Sequence, residues 1–122
     1  MGMYTELMIR CYVKPRNQKV KDVLNYLFGT DFRERPENLP KHKFFNLEFW
    51  EMVGCMSSVR HNNENPRIYD GEFLFCICVI KNYSEELDLF LDWIRPHVKA
   101  KDGEVFAWTW YEEELIPILW RK

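Results

Sequence analysis

Local signatures of catalysis and of cofactor binding are missing from this sequence of 122 residues. It has five glycines but no glycine-rich phosphate loop, no Gly-x-Ser-x-Gly motif and no Cys-x-x-Cys pair. The three histidines are isolated, so no two of them have the spacing of a metal-binding pair. These absences argue against an enzyme and against a bound cofactor or metal, and they leave a partner-binding surface or a ligand pocket as the functions to consider.

Long apolar runs and an excess of charge of one sign are also missing. The longest uncharged apolar run, Phe73–Ile80, is far shorter than the roughly 20 residues that a membrane helix needs. Seventeen basic and nineteen acidic residues give a net charge of −2, which offers no overall attraction to nucleic acid. Residues 1–6 lack the basic and apolar blocks of a signal peptide. We therefore expect a cytoplasmic protein with no membrane partner, and nucleic acid is disfavoured as a partner.

Aromatic residues, by contrast, make up 16% of the chain. Each of them can bury about 150–250 Å², so together they supply enough bulk for a core and for a second apolar surface. The length fits one α+β domain over residues 1–122. The four cysteines lie in apolar segments, where buried free thiols are expected: Cys11, Cys55, Cys76 and Cys78.

Hydrophobic periodicity predicts the order of the elements. An apolar stripe after Asn17 predicts a helix that Gly29 ends, and Ser84 caps a second helix that ends at Pro96. Strands are predicted where residues alternate or where β-branched and aromatic residues are dense, at 5–14, 49–59, 72–81, 104–111 and 115–120. The order βαββαβ predicts a ferredoxin-like fold, in which a four-stranded antiparallel sheet carries two helices on one face, with a short C-terminal strand added.

Two helices cover only one face of such a sheet, and the residues assigned to the other face are apolar. They include Met8, Tyr12, Met52, Trp108 and Trp110. A large apolar patch usually marks an interface or a ligand site. Three coverings are open: the segment 115–120 folding back, a second copy packing sheet to sheet, or a ligand beneath the long connection 30–43. A register slip of one residue would turn the two tryptophans to the other side.

Two functions follow from this surface. The first is a non-catalytic interaction module that forms a homodimer through the uncovered face of the sheet. The alternative is a small-molecule or peptide-binding protein, conceivably an enzyme, with an aromatic pocket between the sheet and the 30–43 loop. That pocket would be lined by Trp50, Glu51, Trp108 and Trp110, and the pKa of Glu51 would rise if its carboxyl group were buried.

An RNA-recognition module also presents aromatic residues on a βαββαβ sheet. Its central strand requires a basic residue and glycines, and the segment 72–79 contains neither. We therefore do not predict RNA binding.

The segments Tyr4-Thr5-Glu6-Leu7, Phe90-Leu91-Asp92-Trp93-Ile94-Arg95-Pro96 and Tyr111-Glu112-Glu113 resemble a group of small uncharacterised bacterial and phage-borne proteins. The resemblance spans most of the chain. It implies a bacterial or phage origin and transfers neither an activity nor a site residue.

Overall fold

The structure is a computed structural model that describes residues 4–29, 34–54, 67–82, 84–111 and 114–122. These residues form a mixed α+β fold, which confirms the predicted class. In chain order the strands and α-helices are β1 Thr5–Tyr12, α1 Gln18–Phe28, β2 Arg67–Tyr69, β3 Phe73–Ile80, α2 Glu86–Ile94, β4 Val105–Tyr111 and β5 Glu114–Leu119. Short 3-10 helices lie at Lys43–Asn46, Trp50–Gly54 and Arg95–His97.

The five strands form one antiparallel sheet in the order β2-β3-β1-β4-β5. β1 is central and pairs with β3 along its whole length and with β4 over residues 5–9. β5 continues the sheet beyond β4, so the C-terminal strand is a fifth member of the sheet rather than a short addition. Pro117 lies on this edge strand, the place in a sheet to which proline is usually confined.

The helix α1 forms as predicted. The Asn17 side chain accepts a hydrogen bond from the Val20 N–H at 3.1 Å and so caps the first turn. Its apolar stripe is buried and consists of Val20, Val23, Leu24, Leu27 and Phe28. At the other end, a Cβ on Gly29 would lie 2.5 Å from the Asn25 carbonyl oxygen, so only glycine fits this close approach.

The helix α2 also forms, but Ser84 is not its cap. The residue before the first turn is Glu85, in the left-handed conformation with φ 60° and without a side-chain capping bond. Asn82 supplies the acceptor instead, because its Oδ1 receives the Leu87 N–H at 2.9 Å. The apolar stripe of α2 is buried and includes Leu87, Phe90, Leu91 and Ile94.

The predicted strand at 49–59 is wrong over its described part. Trp50–Gly54 is a 3-10 helix, and residues 55–59 lie outside the described residues. Trp50 of this segment packs against Phe44 in the helix layer, and β2 lies beside β3 in the position predicted for this strand. High β propensity gave the wrong prediction because aromatic side chains favour any well-packed half-buried position.

One hydrophobic core lies between the sheet and the helix layer. The sheet contributes Leu7, Ile9 and Cys11 of β1 and alternate residues of β3, and both helices contribute their buried stripes. No helix in the described part of the chain is long and apolar enough to cross a membrane.

Candidate interaction surface and neighbouring sites

The side of the sheet opposite α1 and α2 is called the open face here. Strand alternation assigns its residues, since Leu7, Ile9 and Cys11 point into the core and their neighbours point away. The directly paired residues of β3 and β2 share the orientation of their partners. The apolar residues that these three strands add to the open face are Met8, Tyr12, Ile68, Phe73, Phe75, Ile77 and Val79.

The register of β4 brings both predicted tryptophans to the open face. Trp108 pairs with Met8, and Trp110 pairs with Glu6. On the far side, β5 pairs Pro117 with Trp108 and Leu115 with Trp110. Both tryptophans are half-buried. Each lies in its own row of side chains, which continues across β3, β1, β4 and β5.

This face is exposed at both of its lateral ends and at Arg10 and Tyr12 of β1, whereas Ile77 and Val79 of β3 are buried. Tyr12 keeps 59% of its surface exposed, Ile68 48% and Leu115 54%. Tyr12 rests edge-on against Phe73, with ring centroids 5.3 Å apart. None of the described helices packs on this side, because the core cluster joins both helices to the opposite face.

The C-terminal segment does not fold back over the open face. β5 lies within the sheet as an edge strand, so its backbone cannot also cover the sheet. After β5 the chain turns to the helix layer, where the Trp120 Nε1–H donates to the Arg95 carbonyl at 2.9 Å. The Arg95 Nη1 in turn donates to the Arg121 carbonyl at 2.7 Å. Of the three coverings considered, the first is therefore ruled out for residues 114–122.

Charge on the open face is confined to the central strand. Among the described strand residues of this face, Glu6 and Arg10 are the only charged side chains, and each is two residues from Met8. Arg67 and Glu114 pair with residues whose side chains point to the helix side. The described strand residues of this surface are thus apolar apart from one acid and one base.

The structure separates the predicted pocket residues. Tyr12, Trp108 and Trp110 lie on the open face, whereas Trp50 and Glu51 lie in the helix layer on the other side of the sheet. Trp50 is 3% exposed and packs against Phe45 with ring centroids 5.1 Å apart. The aromatic pocket predicted from these residues is therefore not formed by them, because the segment that carries Trp50 is not a strand.

Glu51 is held by two hydrogen bonds in this layer. The Arg35 Nε–H donates to Oε1 at 2.7 Å, and the Tyr26 hydroxyl donates to Oε2 at 2.8 Å. The bond from Arg35 is the largest cause of a lowered Glu51 pKa, and the Tyr26 bond acts in the same direction against the opposing effect of burial. The expected rise of the pKa was conditional on burial of the carboxyl group, and the Glu51 side chain is instead 35% exposed and bound to a cationic partner.

The described part of the 30–43 loop does not lie over the open face. Its Arg35 guanidinium lies 5.9 Å from the centroid of the Trp50 ring, on the helix side. His42 Nδ1 accepts the Phe44 N–H at 3.0 Å, so its Nε2 carries the proton that is shared with Asp92 at 2.8 Å. Both ring nitrogens of His42 therefore form hydrogen bonds, and the bond to Asp92 attaches the loop to α2 on the helix side of the sheet.

Met52, the remaining predicted residue, lines a separate cavity of about 360 Å³. Its wall is mainly apolar and consists of Tyr4, Phe49, Met52, Ile80, Lys81, Ser84 and Glu86. Lys81 Nζ stands 5.5 Å from the centroid of the Tyr4 ring, so one cation lies beside the apolar wall. This volume is near the lower end of the range for pockets that bind small molecules.

The described cysteines and His97 are buried. Cys11, Cys76 and Cys78 are free thiols, as predicted, and burial raises the pKa of Cys11 to about 12. The His97 ring is buried, and burial first and Arg16 second lower its pKa. Cys55 and His61 lie outside the described residues. Within the described ranges no three His, Cys, Asp or Glu residues are grouped to hold a metal ion.

Several open-face residues were not among those singled out from the sequence. Ile68 was missed because β2 is only three residues long, which is too short to show an alternating pattern. The face of Leu115 had no signal in the sequence, because the segment 115–120 is apolar throughout and shows no alternation. Glu6 and Arg10 carried a clear signal, because both occupy the polar side of the first alternating segment.

Comparisons with known proteins found no match for this chain among protein-family models, curated proteins or solved structures.

Proposed function

We propose that this protein is a non-catalytic interaction module that forms a homodimer through the open face of its sheet. One observation carries the proposal: apolar side chains extend across all five strands on the side opposite the helices, and those described there are half-buried to exposed, except Ile77 and Val79 of β3, which are buried. Contiguous apolar patches of this kind in folded domains usually belong to an interface.

The composition of the face supports a protein partner. It is rich in aromatic residues, which dominate the energetic centres of protein interfaces, and poor in charge, as interface centres are. Arg10 is the one cation on the described strands of this face, and Glu6 on the same strand offsets it. Such a surface offers little electrostatic attraction to a phosphate backbone, which is the main source of nucleic-acid affinity.

The ferredoxin-like architecture is part of the same proposal. Two observations support it: four strands lie in the order β2-β3-β1-β4, and each helix connects two strands that are not adjacent in the sheet. The fifth strand, β5, is added at one edge. A cytoplasmic location and a bacterial or phage origin are also proposed, and they rest on the sequence alone.

Sedimentation velocity of the full chain tests the proposal. We expect a concentration-dependent dimer at micromolar protein, and we expect Trp108→Ala to weaken it. Central aromatic anchors contribute on the order of 2 kcal/mol or more, which corresponds to about a thirtyfold rise in the dimer Kd. A wild-type chain that stays monomeric at several hundred micromolar would overturn the proposal.

A matched pair of substitutions on one strand controls for general effects on folding. Leu115 is 54% exposed on the open face, and Ile116 is 44% exposed on the opposite face of the same strand. We expect Leu115→Arg to weaken the dimer, whereas Ile116→Arg should leave it unchanged. Equal effects of the two substitutions would locate the interface elsewhere.

The cavity lined by Met52 supports a second candidate function, the binding of a small apolar ligand. Its volume of about 360 Å³ and the exposed Phe49 at its rim favour an aromatic or aliphatic molecule, with Lys81 available for an anionic group. Native mass spectrometry of the purified chain should then show extra mass, and Met52→Trp, which fills the cavity, should remove it. Bare protein together with no binding of 8-anilinonaphthalene-1-sulfonate, used as a probe, argues against this candidate.

A further inference from the structure

A cavity of about 460 Å³ lies on the helix side of the sheet, where the start of α1, the described part of the 30–43 loop and the end of α2 meet. It is called the α1 cavity here. Its volume falls within the range of small-molecule sites. The side chains that line it include Lys19, Lys41, Asp92, Trp93, Arg95 and His97. None of its described lining residues lines the cavity that contains Met52, so it is a separate candidate site.

Positive charge predominates at the α1 cavity. Its described lining residues include three cations: Lys19, Lys41 and Arg95. The one carboxylate among them, Asp92, accepts the His42 Nε2–H at 2.8 Å. A guanidinium group has five N–H donors, and the bond from Arg95 to the Arg121 carbonyl uses one of them. The whole chain has a net charge of −2, so the charge at this cavity is opposite in sign to that of the protein.

The start of α1 adds to this positive charge. A helix N-terminus carries a partial positive charge, which acidic side chains of the first turn commonly offset. The first turn of α1 has no acidic residue and instead contains Lys19 and Lys21. The Asn17 side chain caps the Val20 N–H, whereas the N–H groups of Gln18 and Lys19 have no acceptor within the helix. Lysines at this end disfavour the helix itself, and an anion bound there would offset that cost.

His97 gives an independent indication of a ligand. It is only 8% exposed, and its ring lies 5.9 Å, centroid to centroid, from that of Trp93. Its Nδ1 is buried and has no hydrogen-bond partner in the described part of the chain. Buried polar atoms are nearly always hydrogen-bonded, because an unpaired one costs free energy. Since His97 lines the α1 cavity, a ligand in the cavity can use the hydrogen-bonding capacity of its ring.

We propose that the α1 cavity binds a small molecule that carries a phosphate group. The phosphate lies at the start of α1 among Lys19, Lys41 and Arg95, and the His97 ring hydrogen-bonds to the ligand. The remainder of the molecule packs against Trp93. The cavity and the open face are on opposite sides of the sheet, so the proposal does not depend on the homodimer.

The donor set favours phosphate over carboxylate. A phosphomonoester has a charge of about −1.5 to −2 at pH 7 and three strong acceptor oxygens. These oxygens suit donors that converge from three segments of the chain, and helix N-termini are common phosphate sites. A carboxylate has two oxygens and a single charge, so it matches fewer of these donors. Burial first and Arg16 second lower the His97 pKa, so its ring is neutral at pH 7 and retains one N–H donor.

Isothermal titration calorimetry of the full chain with phenyl phosphate tests the proposal. At about 0.15 M salt, where exposed charges more than about 8 Å apart are largely screened, we expect a Kd below about 1 mM. We expect benzoate, which has the same ring with a carboxylate in place of the phosphate, to bind more weakly. A Kd for phenyl phosphate above about 1 mM overturns the proposal, and so does benzoate that binds equally well or better.

Two lysines in the first turn of α1 form a matched pair for this experiment. Both are exposed, but Lys19 is among the described residues that line the α1 cavity and Lys21 is not. We expect Lys19→Ala to raise the Kd about fivefold or more and Lys21→Ala to leave it within about twofold of the wild type. Each substitution removes one positive charge from the same turn. Equal effects would therefore indicate general attraction to a basic surface and would overturn the site.

The contribution of His97 is tested in two ways. His97→Phe removes the ring nitrogens but keeps an aromatic ring beside Trp93, and we expect it to raise the Kd at least about threefold. If this variant misfolds, nuclear magnetic resonance of the wild type replaces it. We expect phenyl phosphate to shift the ring signals of His97 and the amide signals of Gln18 and Lys19, while the indole signal of Trp108 on the open face stays unchanged. Unshifted His97 ring signals at saturation overturn the assignment.

Discussion

Replacing Phe44 with alanine should destabilise the protein more than any other single truncation in the helix layer. Phe44 is fully buried, and its ring lies within 5.1–6.1 Å, centroid to centroid, of four other aromatic rings, those of Phe45, Trp50, Phe90 and Trp93. A buried Phe→Ala substitution costs about 3–5 kcal/mol, and each aromatic pair adds about 0.5–1.5 kcal/mol beyond its buried area. With four pairs lost, we expect the upper end of that range, about 4–5 kcal/mol.

The assay is urea unfolding at one fixed protein concentration, followed by tryptophan fluorescence and by far-UV circular dichroism. For a slope of about 2 kcal/mol per molar urea, the expected loss moves the midpoint down by about 2 M. Fixed concentration matters because dimer formation would itself add to the apparent stability.

Phe49→Ala is the matched control for this substitution. Phe49 is only five residues away and is 54% exposed, so its truncation should cost less than about 1 kcal/mol. The reasoning is refuted if Phe44→Ala costs less than about 1.5 kcal/mol, or if the two substitutions cost the same, because either result would mean that the aromatic cluster is not packed around Phe44.

Two further predictions concern titratable groups. Because the Glu51 pKa is lowered in the folded state, its carboxylate stabilises the protein above its ordinary pKa of 4.5 and loses that contribution as the pH falls through the lowered value. Glu51→Gln should therefore flatten the acid side of a Tm-against-pH profile. An unchanged profile would show that the Glu51–Arg35 bond does not contribute to the loss of stability in acid. Since burial raises the Cys11 pKa to about 12, iodoacetamide at pH 8 should alkylate Cys11 far more slowly in folded than in urea-unfolded protein, as measured by peptide mass spectrometry. Equal rates would show that the thiol is accessible.

The sequence alone determined the elements whose patterns are strictly local. The alternation of β1, the capped stripe of α1 and the apolar stripe of α2 follow from side-chain periodicity, which repeats along the chain whatever the tertiary context. The same periodicity put Tyr12 and the charged pair Glu6 and Arg10 on the side of β1 that faces away from the core. The position of Trp108 and Trp110 was a prediction that depended on register, and the pairing with β1 agrees with it.

Only the tertiary structure decided where the aromatic segment after residue 43 lies. Its residues favour strand and compact turn about equally, because both give bulky side chains a half-buried position. Phe44 packs against Phe90 and Trp93 of α2, residues about fifty positions away in the chain, and Trp50 packs against Phe44; these contacts settle that choice. Because of this packing, Trp50, Glu51 and Met52 do not lie on the open face.

The partners of Glu51 were likewise decided by the fold. Arg35 and Tyr26 lie 16 and 25 residues from it, and their bonds lower its pKa against the opposing effect of burial. Local pattern carries no information about such partners, because hydrogen bonds between distant side chains depend on how the elements pack. What the sequence decides is which side of each element is apolar, and the packing then decides which of those sides are buried and which remain available to a partner.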